Sequence, residues 1–139
     1  MIRVILITCT LIFLSAYSYC QSAVGIWKNI EKNKVQSHIE IYESDHKLYA
    51  KVIELFPTSR VTHCKKCKGA DKGASLKDVF LFRDMVLEDD KWVGGVILNP
   101  DNGKEYACHI EIEDDNTLKI RGYVGNPLFG KTFYWHRVD

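Results

Sequence analysis

Beyond the first twenty or so residues, apolar positions recur every second residue. In "SHIEIYE" (37–43) Ile39 and Ile41 share a face, and in "ACHIEIE" (107–113) Cys108, Ile110 and Ile112 alternate with His109, Glu111 and Glu113. "TLKIRGY" (117–123) sets Leu118 and Ile120 against Lys119 and Arg121 in the same way. A period of two marks a half-buried strand. Turn-forming clusters separate these runs: Ser44-Asp45-His46, Glu88-Asp89-Asp90, Asn99-Pro100-Asp101-Asn102-Gly103 and Asp114-Asp115-Asn116. Each is short enough for a hairpin, which makes sequence neighbours antiparallel. The pattern predicts eight strands, near 24–28, 37–43, 47–56, 79–87, 92–98, 104–113, 117–124 and 131–138, with one long irregular connection at 57–78. Eight antiparallel strands in one small domain form a barrel or a sandwich, and closure removes exposed edges. The nearly unbroken meander from Leu76 onward favours an all-β, up-and-down barrel, closed or nearly closed.

The two ends of the chain favour closure as well. Gly25-Ile26-Trp27 opens the first strand, and Trp135-His136-Arg137 lies in the last. Alternation puts Phe133, Trp135 and Arg137 on one face and Tyr134, His136 and Val138 on the other, so His136 and Arg137 cannot serve one site. If the last strand pairs with the first, Arg137 lies over the Trp27 indole, a cation-π contact of about 0.5–2 kcal/mol. Gly25, Trp27, Trp135 and Arg137 are therefore read as the barrel closure.

The N-terminal segment reads as an export signal. Arg3 precedes an apolar run from Val4 to Leu14, interrupted only by Thr8, Cys9 and Thr10 and short for a membrane span. Small residues at Ala16, Ser18 and Cys20 suit cleavage between 18 and 23, giving a signal peptide over 1–20 and a single barrel domain over 21–139. The expected location is periplasmic or secreted. A lipid anchor on Cys20 is the rival reading, and the bulky Tyr19 in front of it speaks against that processing. No second hydrophobic segment follows, so the mature chain is expected to lack a transmembrane segment. Losing Arg3 leaves 18 Lys and Arg against 18 Asp and Glu, from 19 and 18 in the whole sequence. Such a balanced charge excludes a nucleic-acid partner, and Lys65, Lys66 and Lys68 read as a solvated loop tip.

The sharpest local chemistry is "HCKKCKG" (63–69). A thioredoxin-type redox pair sits at a helix N-terminus, which a glycine-rich loop does not supply. A structural zinc site needs four ligands; Cys64, Cys67 and His63 would need Cys108 or His109, which point to opposite faces. An oxidising compartment favours a disulfide instead, between Cys64 and Cys67 or from one of them to the inward-facing Cys108. His38 and His46 stand alone in a strand and a turn. Asp101, Asn102, Asp114 and Asp115 resemble calcium ligands by type, but their loops are too short for a known calcium loop. No nucleophile elbow, phosphate loop or metalloprotease motif occurs, so no residue is assigned as catalytic, cofactor-binding or metal-binding, and no cofactor is expected.

The Gly-x-Trp opening with a terminal arginine resembles the calycin superfamily, which includes the lipocalins. A longer set of segments, "GIWK", "IEIYESDHKLYAKVIEL", the "CKKC" loop, "GGVILNPDNGKEYACHIEI", "LKIRGYVG" and "FGKTFYWHRV", resembles the bacterial envelope family known as domain of unknown function 2147. The resemblance spans Gly25 to Val138 and implies a calycin-like exported barrel without an assigned activity. The chain departs from the family pattern at Asn99-Pro100 and Lys131-Thr132-Phe133, where Asp-Pro and Arg-Thr-Gln are usual.

An eight-stranded barrel is either filled by side chains or wide enough for one small ligand. Seven tyrosines, six phenylalanines and three tryptophans could fill it. Alternatively, Tyr106 with Lys51 or Arg121 could orient a small apolar or amphipathic guest by its head group. Binding of such an envelope ligand is the leading expectation. The alternative is a filled barrel acting as an interaction module, forming a homodimer through the 92–98 strand, where "WVGGVIL" is apolar on both faces.

Overall fold

In a computed structural model, residues 22–139 are described; the expected signal peptide over 1–20, with Cys20, lies outside them. Nine strands follow in order: β1 Gly25–Glu31, β2 Lys34–Ser44, β3 Lys47–Leu55, β4 Phe80–Glu88, β5 Lys91–Val93, β6 Val96–Asn99, β7 Lys104–Asp114, β8 Thr117–Tyr123 and β9 Gly130–Arg137. All pairings are antiparallel, and β3 pairs β4 while β1 pairs β9, so the sheet returns on itself as a closed barrel. β5 and β6 occupy one stave between β4 and β7, which leaves eight staves around the wall.

The expected single strand over 92–98 is thus two. Gly94 adopts φ +82° between them, and a Cβ on Gly95 would run into the backbone carbonyl of Arg83. Across the ladder Asp84 also has positive φ, at +61°, so two facing irregularities bend the wall at one level. Such a bulge resets the alternation. Phe82 and Met85, three residues apart, are consequently both buried in β4.

Closure follows from residues at the two ends of the chain. Trp27 pairs with Arg137 across the β1–β9 ladder, and Val138 N–H donates to Ile26 O at 3.0 Å. The Arg137 guanidinium lies 4.2 Å from the Trp27 ring centroid. Its nitrogens donate to three carbonyls, Asp115 O at 3.0 Å, Ser22 O at 2.8 Å and Val24 O at 3.4 Å. The Trp27 indole N–H donates to Ala23 O at 2.8 Å, so the buried ring has no unpaired polar atom. Gly25, at φ +144°, admits this arrangement because a Cβ there would come within 2.8 Å of Arg137 Nη1.

Packing divides the barrel along its axis. At the end holding the β2–β3, β4–β5 and β7–β8 turns, Trp27, Ile41, Leu48, Ala50, Met85, Cys108, Ile110, Leu118 and Ile120 are buried against one another. The opposite end carries the β1–β2 and β8–β9 turns, the β6–β7 turn and the long 56–79 connection, which holds two single 3-10 turns, Gly69–Asp71 and Leu76–Asp78. No helix among the described residues is long and apolar enough to cross a membrane.

Candidate functional site

The end opposite the packed half is hollow. A cavity of about 740 Å³ runs from the centre of the barrel to that rim. Its floor is Trp135, stacked on Phe82 with ring centroids 5.9 Å apart and planes 13° apart. Ile39, Val52, Leu55, Leu81, Ile97 and Phe133 form apolar walls, all at inward strand positions or next to a bulge. Leu76, from the second 3-10 turn of the long connection, lines the cavity and is itself buried. A barrel filled along its whole length therefore does not describe this interior.

Polar and charged side chains also line the cavity, among them Asn29, Glu31, Arg60, Asn99, Asp101 and Lys131. Ser37 and Gln36 are adjacent in β2 yet both buried, because register shifts flank this part of the strand at Asn29/Ile30 and His38/Ile39. Gln36 Oε1 accepts from Arg60 N–H at 2.9 Å, which ties the long connection to the wall. The Tyr106 hydroxyl accepts from Asn102 Nδ2 at 2.8 Å and lines the cavity from β7.

An ionic clamp crosses the rim. Arg60 pairs with both oxygens of Asp101, at 2.6 and 3.0 Å, and its Nε lies 3.6 Å from Glu31. This joins the long connection to the β6–β7 turn and to the β1–β2 hairpin. The arginine hydrogen bond is the main cause holding the Asp101 carboxyl below its ordinary range, and both partners are substantially exposed, so the clamp is a positional device more than a source of stability. Nearby, the backbone of Gly103 sits so close to that of Lys66 that no side chain would fit between them. The two ends of the rim are therefore in direct backbone contact.

The residues singled out from sequence separate by face. Tyr106 lines the cavity, while Lys51 and Arg121 do not. Lys51 lies between the buried Ala50 and Val52, so its ammonium is outside the barrel, 4.5 Å over the Phe80 ring. Arg121 follows the buried Ile120 and also points outward, where Nε and Nη2 donate to Pro127 O and Nη1 to Thr132 Oγ1. Neither cation can meet a guest in the interior, because strand alternation sends each to the outer face.

Cys64 and Cys67 form a disulfide with each other across a turn in which Cys67 N–H donates to Cys64 O, and Cys64 N–H to Ala74 O and Gly73 N–H to Cys64 O tie that turn to the segment after it. Cys108 is free and buried in the packed half, 3.5 Å from Met85 Sδ, so it takes no part in the staple. Burial pushes its thiol up to about 12. His109, next to it, faces outward beside Tyr123; burial and then the neighbouring Lys91 lower its basicity. Among the described residues no group of three or more His, Cys, Asp or Glu is placed to hold a metal ion. In the 92–98 stretch, Trp92, Val93, Val96 and Leu98 are partly exposed, and the exposed Val86 and Leu87 of β4 lie across the ladder from Val93 and Trp92.

Sequence reading missed the Arg60–Asp101 clamp and the buried Gln36-Ser37 pair. Both depend on distant parts of the chain meeting, and no local spacing announces them. A third missed feature, the apolar segment Val124-Gly125-Asn126-Pro127-Leu128-Phe129, was legible: turn residues there are mixed with large apolar ones.

Among curated proteins, none matches this chain. Among solved structures it is similar to protein HP1028 from the human pathogen Helicobacter pylori, described as belonging to the lipocalin family. The two share 24% identity with a TM-score of 0.71, over 85% of this chain and 84% of the other, a likeness that establishes the lipocalin-like barrel fold. A family model described as an uncharacterized protein conserved in bacteria, DUF2147, matches residues 25–137, from the Gly-x-Trp opening to the arginine that covers it. The chain belongs to the DUF2147 family.

Proposed function

We propose that this protein is an exported binding protein, periplasmic or secreted, that holds one small apolar or amphipathic molecule of the bacterial envelope in the hollow half of its barrel. The observation that carries this reading is the cavity of about 740 Å³, with an aromatic floor, apolar walls and a mixed lining that also holds polar and charged side chains. Its size falls within the roughly 300–1,000 Å³ of small-molecule sites. Barrels of this strand number are wide enough inside for one such guest. Apolar walls supply affinity by removing guest surface from water, while Ser37 and Tyr106 offer hydrogen bonds to a polar end.

Gly122 provides the test. It lines the cavity from β8, and a Cβ there meets nothing nearer than Ile97 Cγ2 at 3.5 Å, an ordinary contact. Gly122→Leu should therefore fold while its four added carbons occupy the cavity. At about 0.3 kcal/mol per displaced ligand atom, affinity for an apolar fluorescent probe such as N-phenyl-1-naphthylamine should fall about tenfold. Fluorescence titration measures this, and native mass spectrometry of protein purified without detergent identifies any retained guest. The absence of saturable probe binding by the wild type, or unchanged affinity in the variant, would overturn the proposal.

A further inference from the structure

The three most exposed large apolar side chains among the described residues stand together in one loop. Val124, Leu128 and Phe129 are 66, 80 and 74% exposed on the β8–β9 connection. Three large apolar groups at a single tip are unlike the scattered exposed residues of an ordinary surface. The loop also holds them outward. Val124 N–H donates to Phe129 O, Phe129 N–H to Asn126 O and Leu128 N–H to Asn126 Oδ1 at 2.9 Å. From beneath, the Arg121 guanidinium donates twice to Pro127 O, at 3.0 and 2.8 Å. A backbone tied at this many points does not collapse to hide its side chains.

Position and charge indicate what the tip meets. Val124 and Phe129 also line the cavity, so the exposed apolar surface continues into the cavity wall at the mouth. From Tyr123 to Gly130 the sequence contains no charged residue, and the flanking charges are the cations Arg121 and Lys131. The rim acids Glu31 and Asp101 are engaged by Arg60. An apolar tip flanked by cations complements a bilayer containing anionic lipid: the side chains enter the boundary between head groups and acyl chains, and the cations remain at the phosphate level.

We propose that the 124–129 loop docks the protein onto anionic lipid bilayers through Val124, Leu128 and Phe129, with the cavity mouth facing the lipid. Docking does not require a loaded cavity. Its use, transfer of an amphipathic molecule between bilayer and barrel without passage through water, rests on the binding function proposed above.

Flotation of the protein, as processed by the cell, with vesicles tests this. Wild type should float with phosphatidylethanolamine–phosphatidylglycerol vesicles and more weakly with vesicles of phosphatidylcholine alone. Leu128 does not line the cavity, so Leu128→Asp should lower vesicle partition by roughly tenfold to a hundredfold, the value of one large apolar side chain, and leave probe affinity in vesicle-free buffer unchanged. Leu128→Trp should float as the wild type does, and its emission should shift to the blue on anionic vesicles. Failure of the wild type to float on either vesicle, or equal flotation of Leu128→Asp, overturns the proposal. A wild-type dimer in lipid-free solution that Leu128→Asp converts to a monomer also overturns it, in favour of a second copy as the occupant. Flotation without any probe binding would support docking and remove the ligand function alone.

Discussion

Arg137→Ala is the substitution that most directly tests how the barrel is closed. The guanidinium stacks 4.2 Å over the buried Trp27 ring and bonds three carbonyls, two of them before the first strand and one in the β7–β8 turn. The cation-π contact is worth about 0.5–2 kcal/mol, and the two shorter hydrogen bonds add about 0.5–1 kcal/mol each because water can replace them at this half-exposed site. The expected loss is about 2–3 kcal/mol. For a domain of this size that lowers Tm by roughly 8–12 °C. Urea unfolding followed by tryptophan emission should show a lower midpoint with an unchanged m-value, since the surface exposed on unfolding is the same. Arg137→Lys should recover less than half of the loss, because a single ammonium cannot stack on the ring and reach three carbonyls together. Gly25→Ala, whose Cβ would press on Nη1, should cost less in the Arg137→Ala background than alone. A loss below about 0.5 kcal/mol in Arg137→Ala, or full recovery by lysine, would refute closure by this contact.

Other consequences follow from the rim and the thiols. Replacing Cys64 and Cys67 by serine should cost about 2 kcal/mol or less, the chain-entropy value for so short a loop, and hydrogen exchange should rise chiefly in 57–78. The Cys108 thiol, raised from 9.0 to about 12, should resist iodoacetamide in the native protein at pH 8 and react once the chain is unfolded, as intact-mass measurement will show. Because the folded pKa lies above the unfolded one, its contribution to stability is whole below about pH 9 and is lost as pH rises toward 12; Cys108→Ala should flatten that alkaline decline in urea midpoints. The Asp101 carboxyl has a depressed pKa, so the clamp's contribution is present above its ordinary value near 3.8 and is lost as pH falls further. Probe release measured by stopped flow should accelerate in that acid range, and Asp101→Asn should show the faster release already at neutral pH.

Much of the architecture was written in local pattern. Alternation at Ile39 and Ile41, at Cys108 to Ile112 and at Leu118 and Ile120 located strands and their inward faces, and the Trp27–Arg137 pair located the seam. Pattern reading failed where the backbone leaves regular geometry: the Gly94-Gly95 break turned one strand into two, and the Asp84 bulge put Phe82 and Met85 on one side. The assignment of Lys51 and Arg121 to the interior failed for a different reason. The parity that placed Ile120 inside already placed Arg121 outside, and chemical suitability for a head group was allowed to outweigh it. The cavity itself was not legible, because its existence depends on whether large side chains from nine strands meet at the axis, a three-dimensional sum that no window of sequence contains.

The split between a solid half and a hollow half separates two kinds of evolutionary freedom. Side chains beneath Trp135 secure the chain ends and interdigitate, so exchanges there threaten the whole molecule. Around the mouth, residues can change size or polarity while the barrel stays shut beneath them. A scaffold of this design can change the shape and polarity of its cavity by substitutions confined to one end, leaving its folding intact.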